Sequence, residues 1–296
     1  VSVDPAPDVS VVIVLYNTAD LIVPCLRSVL DSRGVSLEVF VVDNASSDGG
    51  AAIVRERFPS VHLVENTLNR GFGAASNQVL ERCAGRYIVL LNPDTEVTPR
   101  AFRQMTDGMD ASPRVGLAGP TVRNPDGTRQ DSVSLHYPGQ KRSSGEVSGL
   151  PGKIACVLGA CQIVRAALMR ELGGFDEDFF LYGEDQDLCL RIRKKGYEIG
   201  RIDPAVILHH GGKSERGAPP VEVWRKKALA EYLFYRKHYR PETVRRIARA
   251  HRFREMRKIL LTRFSLPFVR DRARALERME KYRMVYDIAV RQIGGG

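Results

Sequence analysis

Apolar positions in the first part of the chain follow two alternating periods. VSVVIVLYN (Val9–Asn17) is nearly continuous and β-branched, the pattern of a strand buried on both faces. Leu21–Ser32 then spaces Ile22, Cys25, Leu26 and Val29 as one face of a helix. The two periods repeat: strand over Leu37–Asn44, helix over Gly49–Phe58, strand over Val61–Asn66, helix over Gly73–Cys83, strand over Arg86–Asp94. Strict alternation of this kind predicts a parallel sheet with helices on both faces.

From about Arg114 the pattern loosens. Short strands surround an NPDG turn, and Tyr137–Lys153, rich in Gly, Ser and Lys, reads as a mobile loop. Ile154–Leu172 reads as a strand running into a helix, Gly183–Gly196 as a helix and Tyr197–His210 as a strand. Helices continue from Val221.

Charge divides the chain further. Residues 213–296 hold 23 Lys and Arg against 9 Asp and Glu, a net of +14, whereas the remainder carries −4. This predicts two parts in different surroundings, 1–214 and a basic helical extension over 215–296. With 43% hydrophobic and 27% charged residues the composition is that of a globular protein. No stretch approaches the ~18 apolar residues of a spanning helix, so a cytoplasmic protein, peripheral to a membrane at most, is expected. Five cysteines without a C-x-x-C pair argue against a metal finger or disulfide scaffold, and small buried thiols are expected.

Ligands of open α/β sheets gather at the carboxyl ends of the strands. Those ends are polar here: Tyr16-Asn17, then Asp43-Asn44, then Asn92-Pro93-Asp94-Thr95-Glu96. Asp48 is expected to cap a helix, whereas Asp43 and Asp94 each end an apolar strand and read as functional. Carboxylates at Asp94 and Glu96 suit a hard divalent cation that also holds a substrate diphosphate. His209-His210 closes a late strand and offers imidazole to the same cation. Asn69-Arg70-Gly71-Phe72-Gly73 opens a helix but lacks the position and spacing of a dinucleotide fingerprint. In Glu184-Asp185-Gln186-Asp187, a first-turn acidic cluster suits the helix dipole. The aromatics Phe175, Phe179, Phe180 and Tyr182 stand just before it, and an apolar wall makes a carboxylate more basic.

In order along the chain, VSVVIVLYN, VVDNASSDG, NRGFGAASN, LLNPDTEV, GACQIVR, GGFDEDFFLYGEDQDLCLR and HHGGKS resemble the family 2 glycosyltransferases, in particular their rhamnosyltransferase-like branch. The resemblance implies a GT-A fold, Rossmann-like and nucleotide-sugar-binding, with a mostly parallel sheet. It implies that Asp185 is the general base with Glu184 beside it. Tyr16, Asn17, Asp43, Asn69, Arg70, Gly73, Asn77 and Asp94 would bind the donor, and Asp94, Glu96 and His209 would hold Mg²⁺ or Mn²⁺. Glu96 stands where the family has Asp. The implied reaction is an inverting transfer from a dTDP- or UDP-sugar, L-rhamnose first, to a hydroxyl of a glycan or lipid-linked acceptor.

Two rival readings suit the same residues less well. A sugar nucleotidylyltransferase would carry a Gly-rich basic loop where Tyr16-Asn17-Thr18-Ala19-Asp20 stands. A nucleic-acid-binding protein would use the basic extension, yet no nucleic-acid motif accompanies the charge. In the extension, Phe253, Met256, Leu260 and Phe264 recur at helical spacing beside Arg252, Arg254, Arg257, Lys258 and Arg263. That stripe either packs on the catalytic part or a second copy, or lies on an anionic membrane.

Overall fold

A computed structural model of the chain describes residues 6–211 and 219–293. The boundary expected at 214–215, and the Gly212, Lys213 and Ser214 of the HHGGKS segment, lie outside the described residues. In chain order the elements are β1 (Val9–Leu15), α1 (Ala19–Leu30), β2 (Leu37–Asp43), α2 (Gly50–Arg57), β3 (His62–Glu65) and α3 (Phe72–Asn77). Then come β4 (Tyr87–Leu91), β5 (Thr95–Val97), α4 (Ala101–Asp110), β6 (Val115–Arg123), β7 (Val133–Ser134), β8 (Cys156–Val157) and β9 (Cys161–Arg165). The chain continues through α5 (Ala166–Glu171), α6 (Glu184–Lys194), β10 (Glu198–His209), α7 (Pro220–His238), α8 (Pro241–Ser265) and α9 (Arg272–Ile293).

Eight strands form one sheet in the order β3-β2-β1-β4-β9-β6-β10-β5. β3, β2, β1 and β4 are mutually parallel, and β10 is parallel to β6. β9 runs antiparallel to both β4 and β6, and β5 antiparallel to β10, so the sheet is mixed but mostly parallel. Alternation along β1 shows how the core is divided. Val9, Val11, Ile13 and Leu15 enter a cluster with Ile22, Leu26 and Phe102, while Val12 and Val14 enter another with Val79, Leu168 and Leu188. Side chains of α1 and α4 therefore cover one face and those of α5 and α6 the other, the three layers that the two periods predict. All five cysteines are buried and unbridged.

The helix expected over Gly73–Cys83 is broken. α3 ends at Asn77, and a 3₁₀ turn follows over Leu80–Arg82. Asn77 spends its amide outside the helix, accepting from Phe175 N (2.9 Å) and donating to Phe175 O (2.9 Å) and Glu177 (3.0 Å). That long-range demand competes with continuation of the helix.

The chain forms two compact units. Among the described residues the first takes 6–137, 150–180 and 184–211, and the second takes 138–149, 181–183 and 219–293. The stretch read as a loop over 137–153 is thus shared between them. Within the second unit it forms a 3₁₀ turn over Gln140–Arg142, and Tyr239 donates to Pro138 O (2.7 Å). The second unit packs α7, α8 and α9 around Tyr232, Phe234, Tyr235, Ile247 and Ala275. No helix among the described residues is long and apolar enough to cross a membrane.

Candidate active site

Parallel pairing brings the ends of β1, β2 and β4 to one edge of the sheet, and β10 ends there too. Because β9 runs the other way, the residues before it reach the same edge: Asn92 N donates to Ala160 O (3.0 Å). The carboxyl edge therefore gathers Asn17, Asp43, Asp94, Gly159 and His209, which lie far apart in sequence.

Asp43 is buried at the end of β2. Its Oδ2 accepts from Ser46 N (3.2 Å), but its Oδ1 has no hydrogen-bond partner among the described residues. Asn44, next along, organises the neighbouring loop. It donates to Asn69 Oδ1 (2.8 Å) and Gly71 O (3.2 Å) and accepts from Arg70 N (3.0 Å). Gly71 has φ +84° and lies so close to Phe180 O that a Cβ has no room, so only glycine fits. Tyr16 is half-buried and Asn17 exposed, the latter accepting from Ser47 N (2.8 Å). Asp48 accepts from Ala19 N and Gly50 N at the starts of α1 and α2, although the N-cap residues themselves are Thr18 and Gly49. Arg70 is exposed beside this loop, its backbone N–H held by Asn44. Gly73 and Asn77, expected at the donor, are engaged with the 175–177 segment: a Cβ on Gly73 would stand 2.9 Å from that of Phe175.

The turn after β4 is pinned by Thr95 Oγ1, which donates to Asn92 O (2.7 Å), and it presents Asp94 to the end of β10. His209 Nε2 stands 3.4 Å from Asp94 Oδ1, and both residues are buried. Gln130 fixes the ring. Its amide nitrogen donates to Asn124 Oδ1 (3.1 Å), so its oxygen faces His209 Nδ1 (2.7 Å) and accepts that proton. With Nδ1 donating, Nε2 of a neutral His209 ring is an acceptor 3.4 Å from Asp94 Oδ1, which makes no hydrogen bond among the described residues. Two acceptors facing each other repel unless a proton or a cation stands between them, so Asp94 and His209 suit a divalent cation. Glu96 does not join them. His210 takes Glu96 (2.9 Å) as a separate pair. The three-residue set Asp94, Glu96 and His209 is accordingly not gathered, and no group of three or more His, Cys, Asp or Glu suited to a metal occurs among the described residues.

α6 opens with Glu184, Asp185 and Asp187 in its first turn. Asp187 is locked by Arg191 (2.7 Å), whose guanidinium also donates to Leu172 O and Gly174 O. Arg193 donates to Pro151 O (2.9 Å) and Gly152 O (2.9 Å), which fixes the other side of the helix. Glu184 is buried, and its Oε2 has no partner among the described residues. Burial first, and the neighbouring Asp185 charge second, push its pKa up to about 8. Asp185 is half-buried, and burial raises its pKa, opposed by the backbone N–H groups of Gln186 (2.8 Å) and Gly159. Those bonds favour the charged form of Asp185, whereas Glu184 lacks them on Oε2. Asp185 is thus the carboxyl that ionises first.

Glu184 has a consequence for stability. Its folded pKa of about 8 exceeds the ordinary 4.5, so folding takes up a proton between those values and stability falls as pH rises through that window. Glu184→Gln should leave stability nearly unchanged at pH 5. At pH 9 it should stabilise the protein by on the order of 2–4 kcal/mol. Urea unfolding of both proteins at the two pH values measures this, and an equal difference at both would contradict it.

Sequence reasoning missed Asn44, Gln130 and Gly159 as parts of the site. Asn44 sits inside the quoted VVDNASSDG segment, so its place beside Asp43 was the available signal. Gly159 opens the GACQIVR segment, which was its available signal, whereas Gln130 carries none, because only the fold brings it to His209.

Residues 10–173 match the family described as glycosyl transferase family 2. The chain is 28% identical over 256 residues to the N-acetylglucosaminyl-diphospho-decaprenol L-rhamnosyltransferase of Mycobacterium tuberculosis, covering 76% of this chain and 82% of that protein. The fold is similar to a mannosyltransferase of Pyrobaculum calidifontis solved with GDP-Man and Mn²⁺, with a TM-score of 0.60 at 21% identity over 96% of this chain and 87% of that one. It is also similar to GalNAc-T7 solved with UDP, GalNAc and Mn²⁺, with a TM-score of 0.57 at 14% identity over 75% and 48%.

Proposed function

Since the chain belongs to glycosyl transferase family 2, we propose that it is a metal-dependent inverting transferase that moves a sugar from a nucleotide-sugar to a hydroxyl of a cell-surface glycan or its lipid-linked precursor. The observation that carries this reading is a set of three buried carboxylate oxygens with no hydrogen-bond partner among the described residues: Asp43 Oδ1, Asp94 Oδ1 and Glu184 Oε2. A buried acceptor without a partner is costly, and the parts of this reaction supply what each lacks. A nucleobase N–H would satisfy Asp43, a cation Asp94, and an acceptor hydroxyl the Glu184–Asp185 pair. The relative from M. tuberculosis makes L-rhamnose from dTDP-L-rhamnose the first candidate donor, with UDP-sugars next.

In the reaction, Asp185 takes the proton of the acceptor hydroxyl as that oxygen bonds to the anomeric carbon. The bond from that carbon to the diphosphate breaks on the opposite face, its electrons leave with the nucleoside diphosphate, and configuration inverts. Asp185 suits this step because its backbone bonds favour its charged form against the effect of burial, while burial pushes Glu184 up to about 8. When bound by Asp94 and His209, Mg²⁺ or Mn²⁺ would neutralise charge on the departing diphosphate. Gln130 holds His209 in the tautomer that this needs.

A thermal-shift panel of dTDP, UDP, GDP and their sugars, with and without Mn²⁺, tests the proposal. One nucleotide class should stabilise the protein only with the cation, by about 2.7 kcal/mol at a hundredfold excess over Kd. No stabilisation by any nucleotide-sugar at millimolar concentration would overturn it.

A further inference from the structure

The second unit carries an apolar surface that its own packing does not use. On α8 the buried positions Val244, Ile247, Ala248, His251 and Glu255 recur at helical spacing and face α7 and α9. Phe253, Met256, Leu260 and Phe264 recur with the same period on the opposite side, and all four are exposed. The stripe read from the sequence is therefore not the packing face. It continues beyond the end of the helix to Phe268, which is 87% exposed, and Phe264 is 76% exposed. An apolar stripe this open on a helix that already buries another face marks an interaction site.

Charge selects the occupant. α8 carries eight Arg and Lys against Glu242 and Glu255. Glu255 is already taken by Arg254 (2.6 Å) and Lys258 (3.1 Å). Exposed Arg252, Arg257 and Arg263 border the stripe, and Arg270 and Arg272 follow Phe268. A second copy docked face to face would set these arginines against their own equivalents. Phe253, Phe264 and Phe268 are rings on which a nucleic-acid base stacks, but the aliphatic Met256, Leu260 and Leu261 between them have no such use. An anionic bilayer meets both demands, because the apolar side chains enter the boundary between headgroups and acyl chains while arginines reach lipid phosphates.

We propose that the exposed face of α8, from Phe253 to Phe268, is a docking surface for an anionic lipid bilayer. The proposal stands apart from the transferase reading, and its test uses no activity. The full chain is co-sedimented with vesicles of phosphatidylcholine alone or mixed with phosphatidylglycerol, at low and high salt. Binding to the anionic vesicles should be about tenfold or more above that to neutral ones and should weaken with salt. Phe253→Ser with Phe264→Ser and Phe268→Ser should lower it at least about tenfold at an unchanged unfolding midpoint, since these side chains are exposed. Arg252→Glu with Arg263→Glu should remove the preference for anionic lipid, and a single Phe268→Ser serves if the triple variant does not fold. Equal, negligible binding to both vesicles at low salt overturns the proposal. So does undiminished binding by the Phe variants, or a dimer in size exclusion that the Phe variants dissolve.

Discussion

Asp185→Asn should leave folding and donor binding intact and lower turnover by roughly 10²–10⁴-fold. Asn keeps an oxygen that accepts the backbone N–H of Gln186, which Asp185 now does at 2.8 Å, so the start of α6 should not shift. It cannot receive a proton, and the acceptor hydroxyl would attack without a base. The measurement is kcat at saturating donor and acceptor, beside a calorimetric Kd for the nucleoside diphosphate. Near-normal kcat would move the role to Glu184, since Asp187 is buried and committed to Arg191. The pH profile gives a second readout. Burial raises the Asp185 pKa, so the rate should be lost on acidification at a pH above the usual carboxylate range. Asp185→Asn should abolish that limb.

The sheet was legible in the sequence because β1, β2 and β4 are buried on both faces, and continuous apolar runs of that kind have few other uses. Their polar ends place Asp43 and Asp94 at the carboxyl edge, where the fold has both buried. The antiparallel insertion of β9 between β4 and β6 was not legible, because direction leaves no mark on a five-residue run of CQIVR. The break after Asn77 was hidden for a related reason. The sequence VLERC after it has helical spacing, yet the chain passes there into a 3₁₀ turn while Asn77 holds Phe175 and Glu177. The stripe of α8 shows the limit from another side. Period alone finds a helical face, but Val244 and Ile247 on one side and Phe253 and Phe264 on the other have the same period. Only packing tells which is the core. Within the site, carboxylates at strand ends were readable, while the groups that tune them came from afar: Gln130 to His209 and Gly159 to Asp185.

Removing the cation should be the other large effect. EDTA is expected to abolish transfer, and Mg²⁺ or Mn²⁺ to restore it. Asp94→Asn should lower turnover by roughly 10²–10³-fold at any metal concentration that the wild type needs. Asp94 Oδ1 is buried without a hydrogen bond and faces His209 Nε2 at 3.4 Å, so the amide of Asn would offer its N–H to His209 and close the space. Folding should survive, since that contact relieves the opposed lone pairs. Gln130→Leu separates metal binding from chemistry. It touches neither Asp94 nor the reacting atoms, yet it frees the His209 ring from the 2.7 Å bond that sets its tautomer. Loss of such an orienting partner typically costs about 10–100-fold in metal affinity. Mn²⁺ titration followed by electron paramagnetic resonance should show that loss, and raised Mn²⁺ should restore turnover to Gln130→Leu but not to Asp94→Asn. Glu96→Gln should change Mn²⁺ affinity far less than Gln130→Leu, because Glu96 is paired with His210. Full activity in EDTA, with no metal found by elemental analysis, would remove the role from both Asp94 and His209. The opposed oxygen and nitrogen would then have to share a proton.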